Sequence, residues 1–179
     1  MILKTKKKMS KQFLDLGVST PLLQALNEMN LLVPTEIQQQ VIPLLLENKT
    51  DLVGLAKTGT GKTAAYGLPL LQLIDTSIPK VQAVILVPTR ELGQQVFRNI
   101  ESFSRYQLDV SIASTCGGIP IKPQIERLSS PTHIVVATPG RLIDLIHRKA
   151  IDLRETRFLV IDEADEMVSI LKESLDEIV

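Results

Sequence analysis

The eight residues AKTGTGKT, Ala56 to Thr63, join two glycines, two lysines and three threonines in one short loop. Gly59 and Gly61 let backbone N–H groups turn inward toward an anion without Cβ clashes. Ala56, Lys57, Thr58 and Thr60 complete the loop. Lys62 can reach the outer phosphates of a nucleoside triphosphate, and the Thr63 hydroxyl suits Mg2+. A helix beginning here adds the positive end of its dipole. The first position of this pattern is usually Gly; Ala56 keeps it small. An ordinary glycine turn is the competing reading, and an apolar stretch before the loop with a helical pattern after it weighs against that.

A second stretch, FLVIDEADEM (Phe158 to Met167), runs four apolar residues into Asp162, Glu163 and Asp165. Asp162, just past a strand, suits Mg2+ held largely through water. Glu163 is placed to orient or deprotonate an attacking water. Acids also gather in the first turn of helices, but the phosphate loop upstream favours the metal reading. A third stretch, Asn48-Lys49-Thr50-Asp51, spells a guanine-reading pattern. It precedes the phosphate loop instead of lying far downstream, so it reads as a polar turn.

These residues need elements to hold them. Apolar runs of strand length cover Leu52–Leu55, Ala83–Val87, Val110–Ser114, Ile134–Ala137 and Phe158–Ile161, with little polar alternation. That is the pattern of strands buried on both faces of a parallel sheet. Helical patterns cover Thr35–Leu46, Lys62–Ile74, Glu91–Phe103, Pro123–Leu128 and Arg141–His147. Another follows Asp165, with Met167, Val168, Leu171, Leu175 and Ile178 on one face. The alternation predicts a three-layer α/β domain with a mostly parallel sheet. In such sheets ligands bind beyond the carboxyl ends of the strands.

Composition sets limits. Hydrophobic content of 44% and charged content of 22% fit a soluble domain with a buried core. Formal net charge is +0, which argues against coating nucleic acid by bulk charge. No apolar run is long enough for a membrane helix, and the basic start MILKTKKKMSK leads into no apolar segment, so it is not a secretory signal. Residues 1–9 read as a solvated leader, with Met9 as an alternative start. The single cysteine, Cys116, excludes an internal disulfide and reads as a small apolar residue. A cytoplasmic location is expected.

In order along the chain stand Phe13, VPTEIQ (Val33 to Gln38), AKTGTGKT, PTREL (Pro88 to Leu92), Gly117-Gly118, TPGR (Thr138 to Arg141) and DEAD (Asp162 to Asp165). From Phe13 onward the chain resembles the DEAD-box family of ATP-dependent RNA helicases. The resemblance implies a P-loop, RecA-like domain spanning residues 10–179, with ATP and Mg2+ as cofactors and RNA as partner. It makes Gln38 the adenine reader, an amide offering both a donor and an acceptor, with Phe13 nearby. It assigns RNA to Pro88, Thr89, Arg90, Gly117, Gly118, Thr138, Pro139, Gly140 and Arg141. Arginines pair with phosphate and glycines allow close backbone approach. Two Tyr, four Phe and no Trp leave little for base stacking, so contact with sugar and phosphate, insensitive to sequence, is expected.

Two departures stand out. Family members carry Gly and an aromatic where this chain has Asn30 and Leu31. No Ser-Ala-Thr motif and no second RecA-like domain follow the acidic motif. The resemblance places ATP between two such domains, so the isolated chain is expected to bind ATP weakly, hydrolyse it barely and not unwind RNA. It also places the Ser-Ala-Thr strand between the phosphate-loop strand and the Asp162 strand, which would leave ladder groups on both unpaired. Two alternatives remain at this stage: another ATP-driven translocase or DNA helicase, and a non-catalytic RNA-binding module that keeps the fold.

Overall fold

The computed structural model describes residues 11–47, 51–57 and 59–171. The leader at residues 1–9, Asn48 to Thr50 of the polar turn, Thr58, and Leu175 and Ile178 of the last helical pattern lie outside the described residues. The chain divides into two compact units, residues 1–73 with 100–108, and residues 74–99 with 109–179.

The first unit is helical. Its elements are α1 (Lys11–Asp15), α2 (Thr20–Glu28), α3 (Glu36–Glu47) and α4 (Lys62–Leu73). Phe13, Leu22, Leu23, Leu26, Ile42, Leu68 and Leu71 form its core, joined by Ile100 and Phe103. Gln72 of α4 ties down the start of α2: its Oε1 accepts from the Ser19 N–H at 2.8 Å, and its Nε2 donates to the Gly17 carbonyl at 2.9 Å.

Asn30, one of the two departures from the family pattern, has a physical account. It ends α2 in the left-handed region at φ 56. Its N–H bonds the Asn27 carbonyl, and the Leu31 N–H reaches back to the Leu26 carbonyl at 2.9 Å. This is the Schellman arrangement, whose turning position takes Gly first and Asn next. The backbone turn that Gly would make is therefore kept.

The second unit is built on a four-stranded, wholly parallel sheet in the order β2-β3-β1-β4. The strands are β1 (Ala83–Leu86), β2 (Ile112–Thr115), β3 (Ile134–Ala137) and β4 (Phe158–Ile161). Every residue of β1 and β3 is buried, as their unbroken apolar composition requires. The helices are α5 (Arg90–Phe103), whose last turn belongs to the first unit, then α6 (Lys122–Leu128), α7 (Pro139–His147) and α8 (Ala164–Leu171). Val84, Leu86, Val135 and Ala137 on one sheet face pack with Leu142 of α7 and Met167 of α8. Observed bounds fall within a few residues of those the apolar patterns predict; α7 starts at Pro139, and β2 lies slightly later than expected.

One expected strand is not formed. Residues Leu52–Leu55 have no strand conformation and join no ladder among the described residues. Val53 is 89% exposed and Leu55 92%. An isolated run of four residues has nothing to fix it, and Gly54 in its middle weakens it further. In the second unit, β4 pairs only with β1 among the described residues. Its burial is partial throughout and Leu159 is 44% exposed.

Candidate functional site

In the first unit the site is assembled at the start of α4. Gly59 sits at φ 81 and Gly61 at φ 91, a conformation in which only glycine is unstrained. A Cβ on Gly61 would also collide with the Gln38 amide. The loop curls over Lys62, whose ammonium donates to the Ala56 carbonyl at 3.1 Å, while the Thr60 hydroxyl donates to the Lys57 carbonyl at 2.7 Å. Lys62 and Thr63 open the first turn of a twelve-residue helix, so an anion in the loop meets N–H groups, an ammonium and the helix dipole together.

Gln38 is buried, and both ends of its amide are engaged. Its Oε1 accepts from the Thr35 N–H at 2.9 Å, and its Nε2 donates to the Gly61 carbonyl at 3.1 Å. The first bond is half of a capping box: Thr35-x-x-Gln38 closes the N-terminus of α3. The second ties that helix to the phosphate loop. A carboxamide has two N–H donors and two acceptor lone pairs, so one of each remains beyond these two bonds. Phe13, read from sequence as a nucleotide neighbour, is 1% exposed and packs in the core. Leu31, at the position of the family aromatic, is 38% exposed.

In the second unit the strand registers set the site. Leu86 pairs with both Ala137 and Ile161, and Thr115 pairs with Ala137. The four carboxyl ends are therefore level. Along that edge stand Gly117-Gly118, then TPGR, then Pro88-Thr89-Arg90, then Asp162-Glu163. At the usual spacing of neighbouring strands this edge spans about 14 Å.

The groups on this edge hold one another. The Gly117 N–H donates to the Thr138 hydroxyl oxygen at 3.0 Å, and Arg90 donates to the Gly118 carbonyl at 3.4 Å. Thr89 caps α5 by accepting from the Leu92 N–H at 3.2 Å. Arg141 donates to the Ile119 carbonyl at 2.9 Å and to Gln124 Oε1 at 2.7 Å. Gln124, which the sequence did not single out, is buried and bonds Arg141 and the Cys116 carbonyl. Pro139 is buried in the first turn of α7, and Gly140 is exposed with nothing within 4 Å of a Cβ placed there. Cys116 is buried, which pushes its thiol up.

Asp162 is buried and prolongs β4, its N–H donating to the Leu86 carbonyl at 2.9 Å. Its Oδ1 accepts from the Glu163 N–H at 3.1 Å. Glu163 lies in the left-handed region at φ 50, costly for a residue with a Cβ. Among the described residues no group of three or more His, Cys, Asp or Glu could hold a metal. A cation here would complete its shell with phosphate oxygens and water, as Mg2+ does and a structural zinc does not.

A family-wide sequence profile described as DEAD/DEAH box helicase matches residues 35–179. The DEAD-box ATP-dependent RNA helicase CshA of Streptococcus pneumoniae is 46% identical over 158 residues, covering 88% of this chain and 30% of the relative. The ATP-dependent RNA helicase DeaD of Escherichia coli is 44% identical over 156 residues, covering 87% of this chain and 25% of the relative. Among solved structures, a DEAD box protein from Methanococcus jannaschii superposes with a TM-score of 0.84 at 38% identity, over 93% of this chain and 46% of that one. Dbp5 of S. cerevisiae bound to RNA and ADP BeF3 gives 0.84 at 29% identity, over 94% and 42%. The chain thus spans about a third or less of the curated relatives it matches, and its fold is the RecA-like α/β fold of its structural neighbours. It belongs to the DEAD/DEAH box helicase family.

Proposed function

We propose that residues 10–179 act as the N-terminal, RecA-like ATP- and RNA-binding domain of a DEAD-box RNA helicase. Gln38 reads adenine with its remaining donor and acceptor. The loop Ala56 to Thr63 cradles the phosphates, and Lys62 leaves the Ala56 carbonyl for the outer phosphate oxygens. Thr63 would hold Mg2+, and so would Asp162, largely through water; the ion when bound would neutralise phosphate charge. Glu163 orients the attacking water and accepts its proton. RNA lies along its sugar-phosphate backbone on Pro88, Thr89, Arg90, Gly117, Gly118, Thr138, Pro139, Gly140 and Arg141, independently of base sequence.

The observation that carries this reading is the phosphate loop. Two left-handed glycines and a lysine folded onto the loop's own carbonyl stand at a helix N-terminus, a combination that suits an anion. The relatives' names, ATP-dependent RNA helicases, and the RNA and ADP BeF3 held by Dbp5 support the choice of ligands.

In a two-domain helicase the second RecA-like domain supplies arginines to the transition state, a contribution worth roughly 10³–10⁵ in rate in phosphoryl transfer. The 179-residue chain assayed by itself is therefore expected to bind ATP weakly, turn it over barely and leave an RNA duplex paired. A coupled-enzyme ATPase assay with and without single-stranded RNA tests this. Robust RNA-stimulated turnover by these residues alone would refute the division of labour.

A further inference from the structure

We propose that Gln124 is a positioning residue for RNA, holding the Arg141 guanidinium and the Gly117-Gly118 loop in one fixed arrangement. The inference rests on the reading of Arg141 as a phosphate contact.

Gln124 lies on α6 and is 5% exposed. A buried carboxamide must satisfy both ends, and here each end reaches a different motif. Its Nε2 donates to the carbonyl of Cys116 at 2.9 Å, the residue immediately before the glycine pair. Its Oε1 accepts from Arg141 Nη1 at 2.7 Å. The orientation is fixed by chemistry: a carbonyl only accepts and a guanidinium only donates, so a flipped amide would oppose like groups at both contacts.

Arg141 is held a second time, Nη2 donating to the Ile119 carbonyl at 2.9 Å, just past the same glycines. Two acceptors on different segments fix the plane of a guanidinium that carries five donors in a rigid fork. The loop is fixed at the same points. Cys116 and Ile119 flank Gly117 and Gly118, Thr138 accepts from the Gly117 N–H, and Arg90 donates to the Gly118 carbonyl. Gln124 is the one side chain in this set that touches both the loop and Arg141 while being buried. Phosphate binding then meets a guanidinium that has already lost its freedom, and binding to ordered side chains costs less.

The test is fluorescence anisotropy of labelled single-stranded oligo(U) RNA with the 179-residue chain over a salt series. Gln124→Met is expected to weaken binding about 2- to 10-fold, the cost of ordering one long side chain. Arg141→Ala should give a similar loss, and Gln124→Met added to it should give almost none, because the two act as one unit. Gln124→Glu keeps an acceptor for Arg141 and guards against loss of folding; its carboxylate neutralises the guanidinium, so the salt slope should fall by about 0.7, one single-strand phosphate contact. If Arg141→Ala leaves RNA binding unchanged, the reading of Arg141 as a phosphate contact is wrong. If Arg141→Ala weakens binding but the Gln124 substitutions do not, or the two losses add, the positioning role is overturned and that reading stands.

Discussion

Gln38 serves two ends at once. Its carbonyl oxygen closes the capping box of α3 and its amide nitrogen holds the Gly61 carbonyl. Loss of a cap costs about 1 kcal/mol, so a purely structural glutamine would be replaceable by glutamate, the other residue that closes this box. Gln38→Glu keeps an acceptor for the Thr35 N–H but has no N–H to offer adenine or Gly61. Discrimination between ATP and GTP should therefore be lost while Tm falls by only a few degrees. Competition binding alongside thermal melts checks both, and intact nucleotide discrimination would make Gln38 a capping residue only. Gly59, Gly61 and Lys62 were singled out in the sequence by residue type and spacing, and Gln38 by the family resemblance. The role proposed for Gln124 was not legible, since it rests on burial between two segments more than a dozen residues apart in sequence. Phe13 was placed near the nucleotide by the family resemblance, and in the fold its ring is buried.

At the scale of elements, apolar runs marked β1 and β3 well because strands buried on both faces need unbroken Val, Ile and Leu, and β4 carries the same pattern although it is only partly buried. The same signal misled at Leu52–Leu55, where composition promises a strand but no ladder partner forms among the described residues. Strand conformation depends on a neighbour, which a window of local sequence cannot contain. Hydrogen–deuterium exchange separates the two cases. Amides of Val84–Leu86 and Val135–Ala137, in paired strands buried on both faces, should be the most protected. Those of Leu52–Leu55 should exchange within the earliest time points. Strong protection there in a monomer would mean that the segment pairs after all.

For the whole molecule, stability should weaken in mild acid through His133. It is buried between the starts of β2 and β3, where its Nδ1 accepts from the Ser111 N–H at 2.9 Å and its backbone bonds Ser111 and Gln82. Burial lowers its pKa below 6.5, with Asp75 opposing weakly. A base held below its unfolded value contributes stability that is complete above about pH 6.5 and is lost as pH falls toward the folded value. Thermal melts should show Tm dropping between pH 7 and pH 5.5, and less so in His133→Gln, whose carbonyl can still accept. A pH-independent Tm over that window would remove His133 from the account.

The central claim, that the loop Ala56 to Thr63 binds the phosphates of ATP, is tested most directly by titrating the purified chain with a fluorescent ATP analogue, with and without Mg2+. Saturable, Mg2+-dependent binding that falls at least about tenfold in Lys62→Ala, the loss of one charged phosphate contact, is the predicted result. Binding unchanged by that substitution, or no saturable binding in the unsubstituted chain, would contradict it.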